Sequence, residues 1–127
     1  MYNKRCEVSE MLGKTITKIT TDVDLVRFDM SDGSEYLFTH FQDCCETVDL
    51  NEIHGDVDDL VGNPLLIAEV VTEQSDHSRS WGSETWTFYK FATVKGHVTL
   101  RFLGESNGYY SEEVDLIRTK EAVSGNE

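Results

Sequence analysis

The chain has 127 residues, of which 39% are hydrophobic and 28% charged, and its 24 acidic and 11 basic residues give a formal net charge of −13 at pH 7. This length suits one domain with one core, and so negative a chain repels the phosphates of nucleic acids. No apolar run approaches the roughly 18 residues of a membrane span, and three cysteines, two of them adjacent, do not form a disulfide framework.

These properties predict a single domain over residues 1–127, with a core at about 12–118 and a flexible tail at 119–127. The N-terminal letters "MYNKRCEVSE" have no apolar segment after their charges, so we expect no secretion signal and a cytoplasmic protein. In a reducing cytoplasm the cysteines are expected to be free thiols.

Residues 14–41, "KTITKITTDVDLVRFDMSDGSEYLFTHF", are rich in β-branched and aromatic side chains and are divided by two turns, which predicts three strands. A three-residue loop at the second turn, with Gly33 in the left-handed conformation, sets Val26 opposite Phe38 and Phe28 opposite Tyr36. We therefore predict a bulged turn at Gly33.

The segment "FTHFQDCCETVDL", residues 38–50, raises the question of a metal site or a reactive thiol. The candidate ligands are His40, Cys44, Cys45 and the nearby His54. Zinc sites usually space paired cysteines as C-x₂₋₄-C, whereas adjacent residues of an extended strand point to opposite faces. Asp43 and Glu46 also disfavour a thiolate between them. We expect the cysteines to pack, with no metal and no cofactor.

Residues 55–71, "GDVDDLVGNPLLIAEVV", predict a short helix followed by a strand. Asp56 suits the N-cap of a helix over about 57–61, Gly62 suits the left-handed position after it, and Pro64 prevents its continuation. An EF-hand calcium loop is not indicated, because its ligand positions hold Leu60 and Val61.

Residues 84–118, "ETWTFYKFATVKGHVTLRFLGESNGYYSEEVDLIR", show the clearest β pattern. A two-residue turn at Lys95-Gly96 predicts that Tyr89, Phe91 and Thr93 face Phe102, Leu100 and Val98. The same register sets Lys90 directly opposite Arg101. A three-residue turn at Ser106 to Gly108 then sets Arg101 opposite Glu113.

Together these elements predict a β-dominated α+β fold. We expect one antiparallel twisted sheet of about six to eight strands, with one short helix at an edge. The sequence does not decide whether this sheet closes into a barrel.

The motifs "HFQDCCETV", "GDVDDLVGNPLLIAE", "TWTFYKFATVKGHVTLRF" and "SNGYYSE" together resemble a family of small proteins from phages, prophages and some bacteria, known as a domain of unknown function. The likeness covers about residues 12–118. It implies a small cytoplasmic accessory protein, often phage-borne, with no assigned chemistry. Relatives tend to carry "AEE" after the helix where this chain has "AEV", with Val70, which weakens a role for paired acids there.

The charge of the chain is concentrated in its middle. No lysine or arginine occurs in residues 28–78, and the 13 acids of this interval equal the whole net charge of −13. Such a segment favours a basic protein surface, including one that normally binds DNA or RNA, although it also serves solubility. The candidate partner-binding residues are Asp43, Glu46, Asp49, Glu52, Asp56, Asp58 and Asp59.

A second candidate site is an anion or nucleotide pocket around the predicted pair of cations. Two like charges directly opposite destabilise a ladder unless an anion lies between them. The candidate residues are Trp86, Lys90, Arg101, Asn107, Tyr109 and Tyr110. The alternative, which we favour, is that acids of the protein, Glu113 above all, neutralise the cations.

No known nucleophile, metalloprotease or phosphate-loop motif occurs, so the sequence does not indicate an enzyme. The leading hypothesis is a phage-type counter-defence or host-modulating inhibitor, anti-CRISPR-like or similar, that binds a host protein through its acids. The alternatives are an oligomeric sponge for a nucleotide immune signal and a structural accessory protein. Neither nucleic acid nor membrane is an expected partner.

Overall fold

The structure, a computed structural model, describes residues 4–41, 46–76, 82–106 and 112–122. Within these ranges the chain forms nine strands and two short 3₁₀ helices. The strands are β1 (Lys4–Arg5), β2 (Ile16–Asp22), β3 (Leu25–Met30), β4 (Glu35–Thr39), β5 (Thr47–His54), β6 (Ile67–Asp76), β7 (Ser83–Thr93), β8 (Gly96–Ser106) and β9 (Asp115–Lys120). The first 3₁₀ helix is Val8–Met11 and the second is Val57–Leu60.

The strands form two antiparallel sheets that face each other. The five-stranded sheet has the order β1-β9-β4-β3-β2, and the four-stranded sheet has the order β5-β8-β7-β6. Aromatic rings join the two layers: the ring centroids of Phe28 and Phe91 lie 5.1 Å apart, and those of Phe38 and Tyr89 lie 4.8 Å apart. The shared core therefore lies between the sheets, as in a β-sandwich.

The prediction of a strand-dominated antiparallel fold is confirmed, but the expectation of a single sheet is wrong. The described chain has two sheets rather than one. The question of barrel closure, left open by the sequence, is answered by two sheets that do not close into a barrel, and the described helices are short, with fewer than seven residues each. The expected helix at 57–61 is the second 3₁₀ helix, where the Asp56 carboxylate accepts a hydrogen bond from the Asp58 amide at 3.0 Å. Gly62 follows with a φ of +91°, in the left-handed conformation expected of it.

The predicted turn at Gly33 is confirmed. Val26 lies opposite Phe38 and Phe28 opposite Tyr36, as the three-residue loop requires. Gly33 has a φ of +91°, and its amide donates to the Met30 carbonyl at 3.1 Å.

The predicted register between β7 and β8 is wrong. Thr93 lies opposite Gly96, so Val94 and Lys95 form the turn. Gly96 packs closely against the second 3₁₀ helix, because a Cβ there would lie 2.9 Å from Oδ2 of Asp59 and would displace that carboxylate. The error moves every pair by two positions, which leaves the same side chains facing the core and so leaves the apolar pattern unchanged.

The predicted pairing of β8 with the C-terminal strand is also wrong. β8 pairs with β5, which places Arg101 opposite Glu52, whereas β9 lies in the other sheet between β1 and β4. Thr119 and Lys120, expected in the tail, belong to β9, and residues 123–127 lie outside the described ranges. None of the helices among the described residues has the length and apolar character needed to cross a bilayer.

Candidate protein-binding surface

Four exposed acids follow one another along β5 and the second 3₁₀ helix, and we call them the acidic strip. They are Asp49, Glu52, Asp56 and Asp58. The alternation of β5 turns Val48, Leu50 and Ile53 toward the core, so Asp49 and Glu52 face outward. A bulge between Leu50 and Glu52 preserves this division of the strand.

Asp59, another predicted partner-binding residue, is less available than the acidic strip. It is half-buried, with its carboxylate against Gly96, and its carbonyl accepts a hydrogen bond from the Thr93 hydroxyl. These contacts hold the second 3₁₀ helix against the β7–β8 turn.

Glu46 is not on the surface, which corrects its assignment to the partner-binding set. Its exposed fraction is 1%, and its Oε2 lies 2.7 Å from Nε2 of His40. Nδ1 of His40 lies 2.9 Å from the Glu113 carbonyl, which only accepts, so Nδ1 carries a proton and donates. The pair binds the chain around residue 40 to the segment before β9.

Asp43, Cys44 and Cys45 lie outside the described residues, so their roles stay predictions. Among the residues that the structure does describe, no group of three or more His, Cys, Asp or Glu side chains is placed to hold a metal ion. His40 is engaged with Glu46, and Nε2 of His54 lies 2.7 Å from Glu52 Oε2.

The outer face of the four-stranded sheet, which points away from the core, has apolar side chains at its centre and acidic side chains around them. Trp86, Phe88 and Leu103 are partly exposed at the centre, beside Val71, which is 42% exposed. The acids of this face are Glu69 and Glu73 on β6, Glu84 on β7, Glu105 on β8, and Asp49 and Glu52 on β5.

The predicted direct opposition of Lys90 and Arg101 is wrong. Arg101 lies opposite Phe88, while Lys90 lies between Thr99 and Glu69. The guanidinium of Arg101 is 5.0 Å from the centre of the Trp86 ring, which is a cation–π distance.

Side chains of the protein itself do engage Arg101, as we favoured, but they are Asn51 and Glu52 rather than Glu113. Nε and Nη2 of Arg101 donate to Oδ1 of Asn51 at 3.2 and 2.8 Å, and Nη2 lies 3.3 Å from Oε1 of Glu52. Because Asn107, Tyr109 and Tyr110 lie outside the described residues, the nucleotide pocket stays a prediction, now with one of its two cations already engaged.

A family model described as "Domain of unknown function (DUF7448)" matches residues 9–116, from the first 3₁₀ helix into β9. The chain belongs to the DUF7448 family. The matched region contains the acidic strip and the outer face. Searches among curated proteins and among solved structures found no match.

The described chain also holds two polar clusters that the sequence did not suggest. In the first, the hydroxyl of Tyr36 donates to Glu10 at 2.6 Å and accepts from the Lys14 ammonium at 2.9 Å, and Arg118 binds the same Glu10 carboxylate. Burial raises the pKa of Glu10, but the hydrogen bonds of Tyr36 and Arg118 outweigh it and leave this pKa lowered. The cluster ties the first 3₁₀ helix to β4 and β9.

In the second cluster the Glu112 carboxylate accepts hydrogen bonds from three hydroxyls, those of Ser83, Thr85 and Ser106. Thr85 sits at a core-facing position of β7, two residues before Thr87, and both are buried. Threonines at core-facing positions of a strand indicate that a buried polar partner is present, because a buried hydroxyl needs a hydrogen bond. This pattern in β7 could have pointed to the cluster.

A cleft of about 340 Å³ is lined by polar groups, including Tyr89 and Asp115 of the DUF7448 domain and Arg5 and Cys6, which precede the matched region. Arg5 and Asp115 form an ion pair at 2.7 Å across it. Burial, with the nearby Glu10 carboxylate, raises the pKa of the Cys6 thiol to about 11, so the thiol is protonated at neutral pH. Cys6 is therefore not an activated nucleophile.

Proposed function

We propose that this protein is a non-catalytic inhibitor or modulator that binds a basic surface of a host protein through the acidic strip. The acidic strip is the observation that supports the proposal. Within the described residues, no basic side chain forms an ion pair with Asp49, Asp56 or Asp58, whereas Glu52 is paired with Arg101 and lies beside His54. A partner can therefore supply the counter-charges.

The electrostatics favour association with a basic partner more than they favour the isolated fold. Like-signed carboxylates on one edge repel each other in the free protein, and this repulsion is relieved when cations of a partner approach. Exposed ion pairs contribute only about 0.2–1 kcal/mol each, so the acidic strip contributes mainly to the rate and specificity of association.

The proposal extends to a phage-borne counter-defence protein of the host cytoplasm, anti-CRISPR-like or similar. Its support is the resemblance to phage and prophage proteins together with the absence of lysine and arginine from residues 28–78, since an acidic protein can occupy a surface that normally binds nucleic acid. This part rests on association with a family and on charge.

The first experiment measures binding to host proteins by affinity purification at about 50 and 300 mM salt, with identification of the captured partner. In the test variant Asp49, Asp56 and Asp58 are changed to asparagine, which keeps the N-cap oxygen at residue 56. The matched control carries Glu7→Gln, Asp24→Asn and Glu121→Gln, three exposed acids outside the acidic strip. We expect the wild-type protein to capture the partner at low salt but not at high salt. At low salt the test variant should fail to capture it, whereas the control variant should capture it as wild type does. A partner retained equally by both variants would contradict the proposal.

The second experiment tests the counter-defence role directly. The protein is expressed in host strains that carry defined defence systems, and phage plating is compared with and without it. We expect plating to recover in at least one strain and to be lost again in the Asp49, Asp56 and Asp58 variant. Failure to recover in any strain would favour a structural accessory protein.

A further inference from the structure

The free edge of β6 differs from every other sheet edge in the described residues. β6 has ten residues, pairs with β7 without interruption from Ile67 to Asp76, and ends the four-stranded sheet. In the described part of the chain, no backbone hydrogen bond reaches β6 from the side away from β7. The first 3₁₀ helix lies near β6, yet residues 69–74 are all exposed.

The other edges are blunted. β5 has a bulge, and its Leu50 amide donates to the Val23 carbonyl at 2.7 Å. β2 also has a bulge and is bridged at Ile16 to Val61, while β1 has only two residues. Bulges, covering segments and short length are structural devices that prevent an edge from pairing with any other chain, whereas charges on an edge prevent pairing only with strands of like charge. β6 has none of these structural devices over residues 69–74.

Two valines make this edge partly apolar on both faces of the sheet. Val70 and Val71 are each 42% exposed and point to opposite faces, because consecutive residues of a strand alternate. Glu69 and Glu73 flank Val71 on the outer face, and neither has an ion pair within the described residues. The edge thus offers unpaired backbone groups, two apolar contacts and two carboxylates.

The charges decide which strand fits. If two copies paired antiparallel about Val71, Glu69 of one copy would lie opposite Glu73 of the other, and a shift of register by two would place a glutamate against Val71. Each copy also carries a net charge of −13, so self-pairing is opposed at long range. A strand that carries positive charges avoids both the contact between glutamates and the long-range repulsion.

We propose that β6 binds an extended, basic segment of another protein by adding it as a fifth strand to the four-stranded sheet. The segment carries Lys or Arg opposite Glu69 and Glu73, with apolar residues between them opposite Val70 and Val71. Backbone hydrogen bonds supply affinity in this mode and the side-chain pattern supplies specificity. The surface lies at the edge opposite β5 and the acidic strip, so it stands independently of the function proposed above.

The probe is a fluorescent, acetylated and amidated peptide, Arg-Val-Val-Val-Arg, with flanking glycines. Its core reads the same in both directions, so either orientation places arginines opposite Glu69 and Glu73. Binding is measured by fluorescence anisotropy, and amide hydrogen exchange of β6 is followed by NMR. We expect saturable binding, with the fast-exchanging amides of β6 slowed about tenfold or more.

Three substitutions and one altered peptide test the details. Val71→Lys is expected to weaken binding about tenfold or more, through a lost apolar contact and an added like charge. Glu69→Gln with Glu73→Gln should weaken it about fivefold and reduce its dependence on salt. A peptide with proline at its centre should not bind, because it cannot complete the ladder. The matched control, Asp49→Asn with Asp58→Asn, should bind as wild type.

Circular dichroism confirms that each variant folds, and Glu73→Lys replaces Val71→Lys if the latter does not. The proposal is overturned by lack of peptide binding at millimolar concentration, by equal binding of the proline peptide, or by binding that Val71→Lys leaves unchanged. Sedimentation that shows a dimer dissociated by Val71→Lys would also overturn it, because the occupant of the edge would then be a second copy.

Discussion

Replacement of Glu112 by alanine removes a carboxylate that holds together three separate positions of the four-stranded sheet. The exposed fraction of Glu112 is 8%, and its two oxygens accept from the hydroxyls of Ser83, Thr85 and Ser106, on β7 and β8. The alanine variant leaves the hydroxyl of Thr85, which is buried, without this acceptor.

The expected cost is about 3 kcal/mol in the free energy of unfolding. Hydrogen bonds to a charged group contribute about 1.5–3 kcal/mol each, so three independent bonds would give about 5–9 kcal/mol. These bonds share one carboxylate, and its removal also ends the cost of burying a charge, which reduces the sum. A loss of about 3 kcal/mol is large beside the 5–15 kcal/mol typical of whole domains.

The pH dependence gives a second expectation. Burial raises the pKa of Glu112, but the hydrogen bonds of Ser106, Ser83 and Thr85 outweigh burial and leave it below the ordinary 4.5. A carboxylate with a depressed folded-state pKa stabilises fully above its unfolded-state pKa, and the contribution is lost as the pH falls through the folded-state pKa. The difference between wild type and Glu112→Ala should therefore be constant near pH 7 and shrink below about pH 4.

Urea unfolding followed by circular dichroism measures both effects. With a slope of about 1.5 kcal/mol per molar urea, the midpoint of Glu112→Ala should fall by about 2 M at pH 7. Glu105→Ala, an exposed acid on the same strand as Ser106, serves as the control and should change stability by less than about 0.5 kcal/mol. A Glu112→Ala variant within that limit, or a difference that grows in acid, would refute the role of the hydroxyl cluster.

Three further predictions concern backbone, core and thiol. Gly55→Ala should lower the free energy of unfolding by about 3 kcal/mol or more, because φ is +101° and a Cβ would lie 2.4 Å from the His97 carbonyl oxygen. Gly62→Ala should lower it by only about 1 kcal/mol, because φ is +91° but a Cβ would meet no other atom. Thermal unfolding that shows equal losses for the two variants would contradict this. Phe28→Ala should cost about 3–5 kcal/mol in urea unfolding, because its ring lies 4.9 and 5.1 Å from two other core rings, and a loss below about 1 kcal/mol would contradict this packing. Cys6, with a pKa of about 11 against an ordinary 9.0, should be alkylated at pH 8 about 100-fold more slowly than in the urea-unfolded chain, as measured by peptide mass spectrometry; equal rates would count against a buried thiol.

Local patterns in the sequence predict the strands and their core-facing side chains well. Phe28, Tyr36 and Phe38 alternate toward one face, and Gly33 fixes the register between them because only a left-handed residue closes that loop. The same alternation also accounts for the burial of Glu46, because Glu46 lies two residues before Val48 and on the same face, and Val48 is buried. Its charge led to the surface assignment, but His40 supplies the partner that makes burial possible.

Features that depend on distant segments could not be predicted in this way. A register error of two residues between β7 and β8 leaves Tyr89 and Phe91 facing inward, so hydrophobicity does not distinguish the alternatives. The pairing of β9 with β4 and β1 joins segments far apart in the chain, and no local pattern encodes that choice. The engagement of Arg101 by Asn51 and Glu52 follows from the β5–β8 pairing and was missed with it.

The central place of β9 in the five-stranded sheet has a consequence for synthesis on the ribosome. β2, β3 and β4 emerge early and can form their hairpins, but the free side of β4 waits for residues 115–120. Until those residues leave the exit tunnel, the edge of β4 is open and the core under Phe38 is incomplete. Translation stopped before residue 115 therefore yields a chain in which the edge of β4 is open to degradation or to chaperone binding.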